Sequence, residues 1–141
     1  MMNFGADKVR DPALLVGRIL LMLLFLIFGW GKLINFGGSA AYFEHQGLPF
    51  PALAALIAVV MEFVVGVLIV LGLLTRPLAL LLALYTLATA LIGHPYWAIT
   101  GAAQLGAEIN FYKNISIIGG LIVLYVTGAG RYALDPKFNL G

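Results

Sequence analysis

No cysteine occurs anywhere in the 141 residues. Disulfide relays, thiolate metal sites and cysteine-ligated iron–sulfur clusters are therefore excluded for this chain in any compartment. Charge is also scarce. Only 10% of residues are Asp, Glu, Lys or Arg, against about 25% in a typical soluble domain. Histidine occurs only as His45 and His94, too few and too far apart for a metal or haem site, so no metal is expected. Runs of like charge are missing too. The basic residues behind the net charge of +2 and the pI near 9.0 stand singly at the ends of apolar segments. That is the pattern of membrane topology signals and not of a nucleic-acid footprint. The glycine pairs lack the Lys-Ser/Thr or strand context of a phosphate loop, and no nucleophile–base constellation is present.

What fills the chain instead is apolar. Hydrophobic residues make up 62% and the mean hydropathy is +1.04, more than one soluble core can hide. The expected fold is an all-α membrane protein, a bundle of four transmembrane helices of about 20 residues each. The spans are expected at about 13–34, 51–74, 77–93 and 111–130, within a single membrane domain over 1–141. Too little chain remains for an extramembrane domain. The first apolar run lacks a small-x-small cleavage site followed by polar chain, so it reads as a retained helix.

Local signals set the boundaries. Asp11-Pro12 opens the first span and Asn35-Phe36-Gly37-Gly38 closes it. The following SAAYFEHQG segment, from a Ser39 cap to Gly47, predicts a short interfacial helix in the first outer loop. Only Thr75-Arg76 separates the second and third spans, which makes them antiparallel neighbours. Asn110 is the expected cap of the fourth span, and the tail from Arg131 is expected in water. Lys8, Arg10, Arg18, Arg76, Arg131 and Lys137 fall on one side, against Lys32 and Lys113 on the other. The positive-inside rule then places both termini in the cytoplasm. Tyr42, Tyr96, Trp97 and Tyr112 fall where an aromatic belt belongs.

Glu62 is the most informative residue. It stands 11 residues, about 16 Å, into the second span, where a lone acid costs about 2.5–3.5 kcal/mol to insert. Its helical face carries Ala55, Ala58, Val59, Gly66 and Ile69, small enough to admit a neighbouring backbone, so Glu62 is expected to point into the bundle. Arg18, Met22, Phe25, Gly29 and Lys32 share a face of the first helix. On the fourth, Lys113, Ser116, Gly120, Leu124, Thr127 and Arg131 form another stripe, with Asn114 beside it. The candidate site is therefore a buried cluster of Arg18, Lys32, Glu62, Lys113 and Asn114, with Phe25, Trp30, Tyr85 and His94 as pocket walls. The structural alternative is that the cations snorkel to the interfaces and that Glu62 specifies helix packing through a salt bridge.

Several runs, taken in order, carry a family resemblance: F-G-W-G-K-L (Phe28 to Leu33), G-L-P-F-P before the second span, Glu62, and L-G-L-L-T-R-P-L-A (Leu71 to Ala79). The second half adds I-G-H-P-Y-W (Ile92 to Trp97), N-F-Y-K-N-I-S-I-I-G-G (Asn110 to Gly120) and T-G-A-G-R-Y-A-L-D (Thr127 to Asp135). Over nearly its whole length the chain resembles the DoxX family of small bacterial inner-membrane proteins. It departs from the usual Gly-Pro-Gly and Ser-x-Asp near the end, reading Gly128-Ala129-Gly130 and Ala133-Leu134-Asp135.

The resemblance implies a multi-pass protein of the bacterial cytoplasmic (inner) membrane, named by relation to a small subunit of a quinone-linked oxidoreductase. The expectation is an accessory redox subunit that binds a quinone at the charge cluster and works with a redox partner protein. A non-enzymatic scaffold or assembly subunit is the alternative. A small-solute or proton transporter is the second, which in so small a bundle would call for a homo-oligomer.

Overall fold

A computed structural model describes residues 5–139. Within them the chain is helical, with no strand. Helix α1 (Ala6–Ile34) is followed by α2 (Phe36–His45). Next come α3 (Pro51–Val59), a π-helical segment (Val60–Val64) and α4 (Val65–Leu71), which together make one continuous span. Helices α5 (Thr75–Gly93) and α6 (Ala103–Thr127) follow, with short 3₁₀ turns at Tyr96–Ala98 and Asp135–Phe138. Four helical stretches are long and apolar enough to cross a membrane, namely Ala6–Ile34, Pro51–Leu71, Thr75–Ala98 and Ala103–Thr127.

The expected faces turn inward. Along α1 the buried residues are Arg18, Met22, Phe25 and Gly29, while Val16, Leu20, Leu23 and Ile27 are exposed to lipid. In the second span Ala55, Ala58, Val59, Glu62, Gly66 and Ile69 are all buried. Met22, Phe25, Met61, Val65, Ile69, Leu82, Leu121 and Leu124 form the core. Small residues bring the helices close, Ala79 and Ala90 of α5 being wholly buried. On α6 the inward face is Asn114, Leu121 and Leu124. The expected stripe is only partly inward, for Ser116 is exposed.

Local geometry moves several boundaries from their expected places. Asn35, not Ser39, caps α2, accepting the Gly38 N–H on its side chain. The second span stops at Leu71 because Gly72 adopts φ 71. That left-handed position lets Leu73 N–H reach Leu68 O and Gly72 N–H reach Ile69 O, a Schellman closure. The turn is therefore Gly72-Leu73-Leu74, and Thr75-Arg76 already belong to α5. At the far end α6 begins at Ala103, so Asn110 lies inside the helix and caps nothing.

The tail is only partly in water, with Arg131, Tyr132 and 136–139 exposed. After Gly128 it folds back under the bundle, burying Ala129, Ala133 and Asp135, and its Leu134 and Asp135 N–H groups donate to Leu71 O and Gly72 O. Asp135 accepts from Leu74 N–H at 2.6 Å and Thr75 N–H at 2.9 Å, satisfying donors at the start of α5 that would otherwise be orphaned. Arg131 N–H donates to Asp11, so the first turns of α1 and the segment after α6 lie at one end of the bundle.

Candidate functional site

The second span is an α-helix until Val59, where five residues change pitch and Val65 N–H reaches back to Val60 O. Such single-turn widenings are rare and concentrate at functional sites. The widened turn carries Glu62. Directly against it lies Gly29 of α1: a Cβ built there would fall 2.6 Å from the Phe63 nitrogen and 2.9 Å from Glu62 Cβ. Only glycine permits that approach, and it sets the height at which α1 delivers its next inward turn.

That turn carries Lys32. Its Nζ meets Glu62 Oε2 at 2.7 Å, and from α5 the Tyr85 hydroxyl donates to Oε1 at 2.8 Å. Each carboxylate oxygen thus has one charged or phenolic partner, drawn from two different helices. The Glu62 side chain keeps 12% of its surface and Lys32 keeps 25%, with Nζ also 5.9 Å from the centroid of the Phe28 ring. The acid is therefore paired within the apolar layer, the condition under which such a residue is tolerated there.

Lys113 lies within electrostatic reach of both Glu62 and Lys32, and its Nζ donates to Asn110 Oδ1 at 3.0 Å. Asn114 donates to the Thr89 hydroxyl at 3.2 Å, which in turn donates to Thr86 O. Thr89 is one turn beyond Tyr85 on α5, so the α6 groups lie about 6 Å from the level of Tyr85 toward Gly93. His94 ends α5, feels the charge of Lys113, and has no side-chain hydrogen bond among the described residues. Beyond it the rings of Tyr96, Trp97, Phe111 and Tyr112 pack in edge and tilted contacts.

The structure thus brings Lys32, Glu62 and Tyr85 into contact, with Lys113 nearby and Asn114 tied to the same side of α5. Arg18 is elsewhere. It stands 14 residues, about 21 Å, from Lys32 along α1, and its guanidinium donates to the carbonyls of Ala129 and Tyr132. Phe25 fills the core at 5% exposure, and Trp30 faces outward at 50% with its ring against Phe63. Tyr85, expected as a wall, is a direct partner of the carboxylate. Sequence reasoning missed the π segment, the Gly29 approach and the docking of Asp135. Only the T-G-A-G-R-Y-A-L-D run marked that last region as more than a tail. No grouping of His, Asp and Glu able to hold a metal occurs among the described residues.

Comparison with known proteins finds relatives of the chain by sequence. The sequence profile of the DoxX family matches residues 13–95. Inner membrane protein YphA of Escherichia coli is 50% identical over 135 residues, spanning 96% of this chain and 95% of the relative. Inner membrane protein YqjF of the same organism is 39% identical over 132 residues, covering 94% and 96% respectively. The ER-derived vesicles protein ERV29 of Saccharomyces cerevisiae is 26% identical over 136 residues, which is 37% of its length. No solved structure matches the chain.

Proposed function

The chain belongs to the DoxX family and is a multi-pass inner-membrane protein, and from that premise we propose that it is an accessory membrane subunit of a quinone-linked redox system. The observation that carries the reading is a carboxylate on a π-helical turn of a membrane-spanning segment in contact with an ammonium from α1 and a phenol from α5. A lipid-soluble ligand with two carbonyls needs an apolar slot and a few placed donors. An ammonium carries three N–H groups. Lys32 uses one on Glu62 and Lys113 one on Asn110, so both keep donors for a carbonyl. Bound there, a quinone supplies two-electron, two-proton chemistry. Glu62 and Tyr85 can hold or pass a proton beside it, and a partner protein supplies or accepts the electrons. With the positive-inside pattern, the Lys32 end of the bundle faces the periplasmic leaflet, α2 lies in its interface, and residues 1–141 act as one domain.

The test is quantitative extraction of quinone from protein purified in mild detergent, with mass spectrometry of the extract. The wild type is expected to retain close to one quinone per chain. Glu62→Gln and Tyr85→Phe are expected to lose it while keeping their helical circular dichroism. Retention no greater than that of an unrelated four-helix membrane protein from the same membranes refutes the reading. One observation favours a scaffold instead: both Glu62 oxygens are already partnered, so the trio also closes α1, the second span and α5 on one another. Under that reading the same variants lose stability or a co-purifying protein, with quinone content unchanged.

A further inference from the structure

At the opposite end of the molecule, where the start of α1 meets the segment after α6, a cavity of about 360 Å³ is rimmed by Arg10, Arg76 and Arg131. Its volume is at the small end of ligand pockets, which run from about 300 to 1,000 Å³. Two helices and a loop supply the cations: the start of α1, the start of α5 and the segment leaving α6. Asp11 and Asp135 also line it, but both are engaged with backbone. Asp135 accepts from Leu74 and Thr75 N–H, and Asp11 accepts from Arg131 N–H. None of the three guanidinium groups forms an ion pair among the described residues. The Arg10 guanidinium makes one long contact with Thr127 O at 3.5 Å. That of Arg76 lies over Gly128, a position with φ 73 where a side chain would obstruct it.

Three cations against two acids leave the rim with one net positive charge. Arg18 adds another behind it through its bond to the Ala129 carbonyl. Guanidinium forks match tetrahedral oxyanions bidentately. Beside the cavity, α6 turns Val123 and Val126 outward, 61% and 65% exposed, one turn and less from Thr127. Exposed apolar residues of α6 thus come within one turn of Thr127 at the rim of the cationic seat, where acyl chains could lie beside a bound headgroup. We propose that this cavity binds a phosphate oxyanion, and that its occupant is the headgroup of an anionic phospholipid. The positive-inside pattern puts this end at the cytoplasmic leaflet, whose anionic lipids attract basic clusters. The inference is independent of the quinone reading, since it uses none of the same residues.

The experiment is native mass spectrometry of the full chain released from nanodiscs of phosphatidylcholine doped with phosphatidylglycerol. One retained phosphatidylglycerol per chain is expected, with about a fivefold loss of affinity for each of Arg10→Gln, Arg76→Gln and Arg131→Gln and only partial recovery in Arg76→Lys, which restores the charge without the fork. A second arm adds millimolar inorganic phosphate. No displacement supports the lipid as occupant, whereas displacement supports the oxyanion seat and reassigns it to a soluble phosphate. Should the variants fold poorly, the wild type alone decides, because phosphatidylglycerol must raise its thermal midpoint above that in phosphatidylcholine. Equal lipid retention by wild type and folded variants, or no protection of the wild type, overturns the proposal.

Discussion

Replacing Lys32 by Met should strand a carboxylate inside the bundle, and the size of the effect follows from its surroundings. Breaking a fully buried pair from one side costs about 3–5 kcal/mol, because the remaining charge has lost its counter-ion. Here Lys32 keeps 25% of its side-chain surface and Tyr85 still donates to Oε1, so the expected cost is lower, about 2–3 kcal/mol. Glu62→Gln alone keeps an acceptor for Tyr85, and Lys32, two residues from the end of α1, can snorkel. Its cost should be about 1–2 kcal/mol. The informative measurement is the second substitution in the background of the first. With Met at 32, the neutral amide removes a stranded charge, so Glu62→Gln should become stabilising by about 1–2 kcal/mol, a change of sign that additive contributions cannot produce. Equilibrium unfolding in mixed micelles, followed by the fluorescence of Trp30, whose ring packs 5.5 Å from Phe63, reads the whole cycle. If Glu62→Gln destabilises equally in both backgrounds, the pair carries no coupling and Glu62 is held by something other than Lys32.

Gly29→Ala should cost about 1–3 kcal/mol, because its Cβ meets Glu62 and Phe63 backbone atoms that cannot swing aside. Gly31→Ala, with nothing within 4 Å, should be neutral or slightly stabilising, and equal effects in the same unfolding assay would refute the close-approach account. Asp135→Ala should cost about 2–4 kcal/mol by uncapping two N–H groups at the start of α5 with charge-assisted bonds lost. Proteolysis of the tail in nanodiscs should then accelerate, and an unchanged cleavage rate would contradict the docking role.

What could be read from the chain was whatever side-chain periodicity controls. The face running from Ala55 through Glu62 to Ile69 repeats at helical spacing with small residues, and it is the buried face. The α1 stripe from Arg18 to Gly29 was legible for the same reason. What could not be read depends on backbone groups or on contacts across the bundle. Nothing in Val-Met-Glu-Phe-Val announces a π turn. The partners of Arg18 are carbonyls at Ala129 and Tyr132, groups every residue possesses and no pattern marks. Asp135 reads as a solvated acid in a short tail until the chain is seen to double back onto Gly72. The start of α6 was hidden because Gln104 and Glu108 dilute its hydropathy, although Gly101 at φ 77 marks the break before it.

Arg18 and Lys32 lie on one face of one helix, yet the chemistry of their acceptors assigns them different work. Arg18 is held by neutral carbonyls that do not titrate, so its bonds to the tail do not themselves depend on a proton. Lys32 is held by a carboxylate, and the strength of that bond depends on a single proton. Tyr85 can keep its bond to Glu62 whether the acid is charged or neutral, since a carboxyl group retains acceptor capacity; the lysine cannot keep its attraction. A ligand that brings or removes a proton therefore has leverage on the bond of Lys32 and none on the bonds of Arg18. Proton-dependent contact and proton-independent contact are thus separated along one face of α1, the first beside the widened turn and the second against the tail.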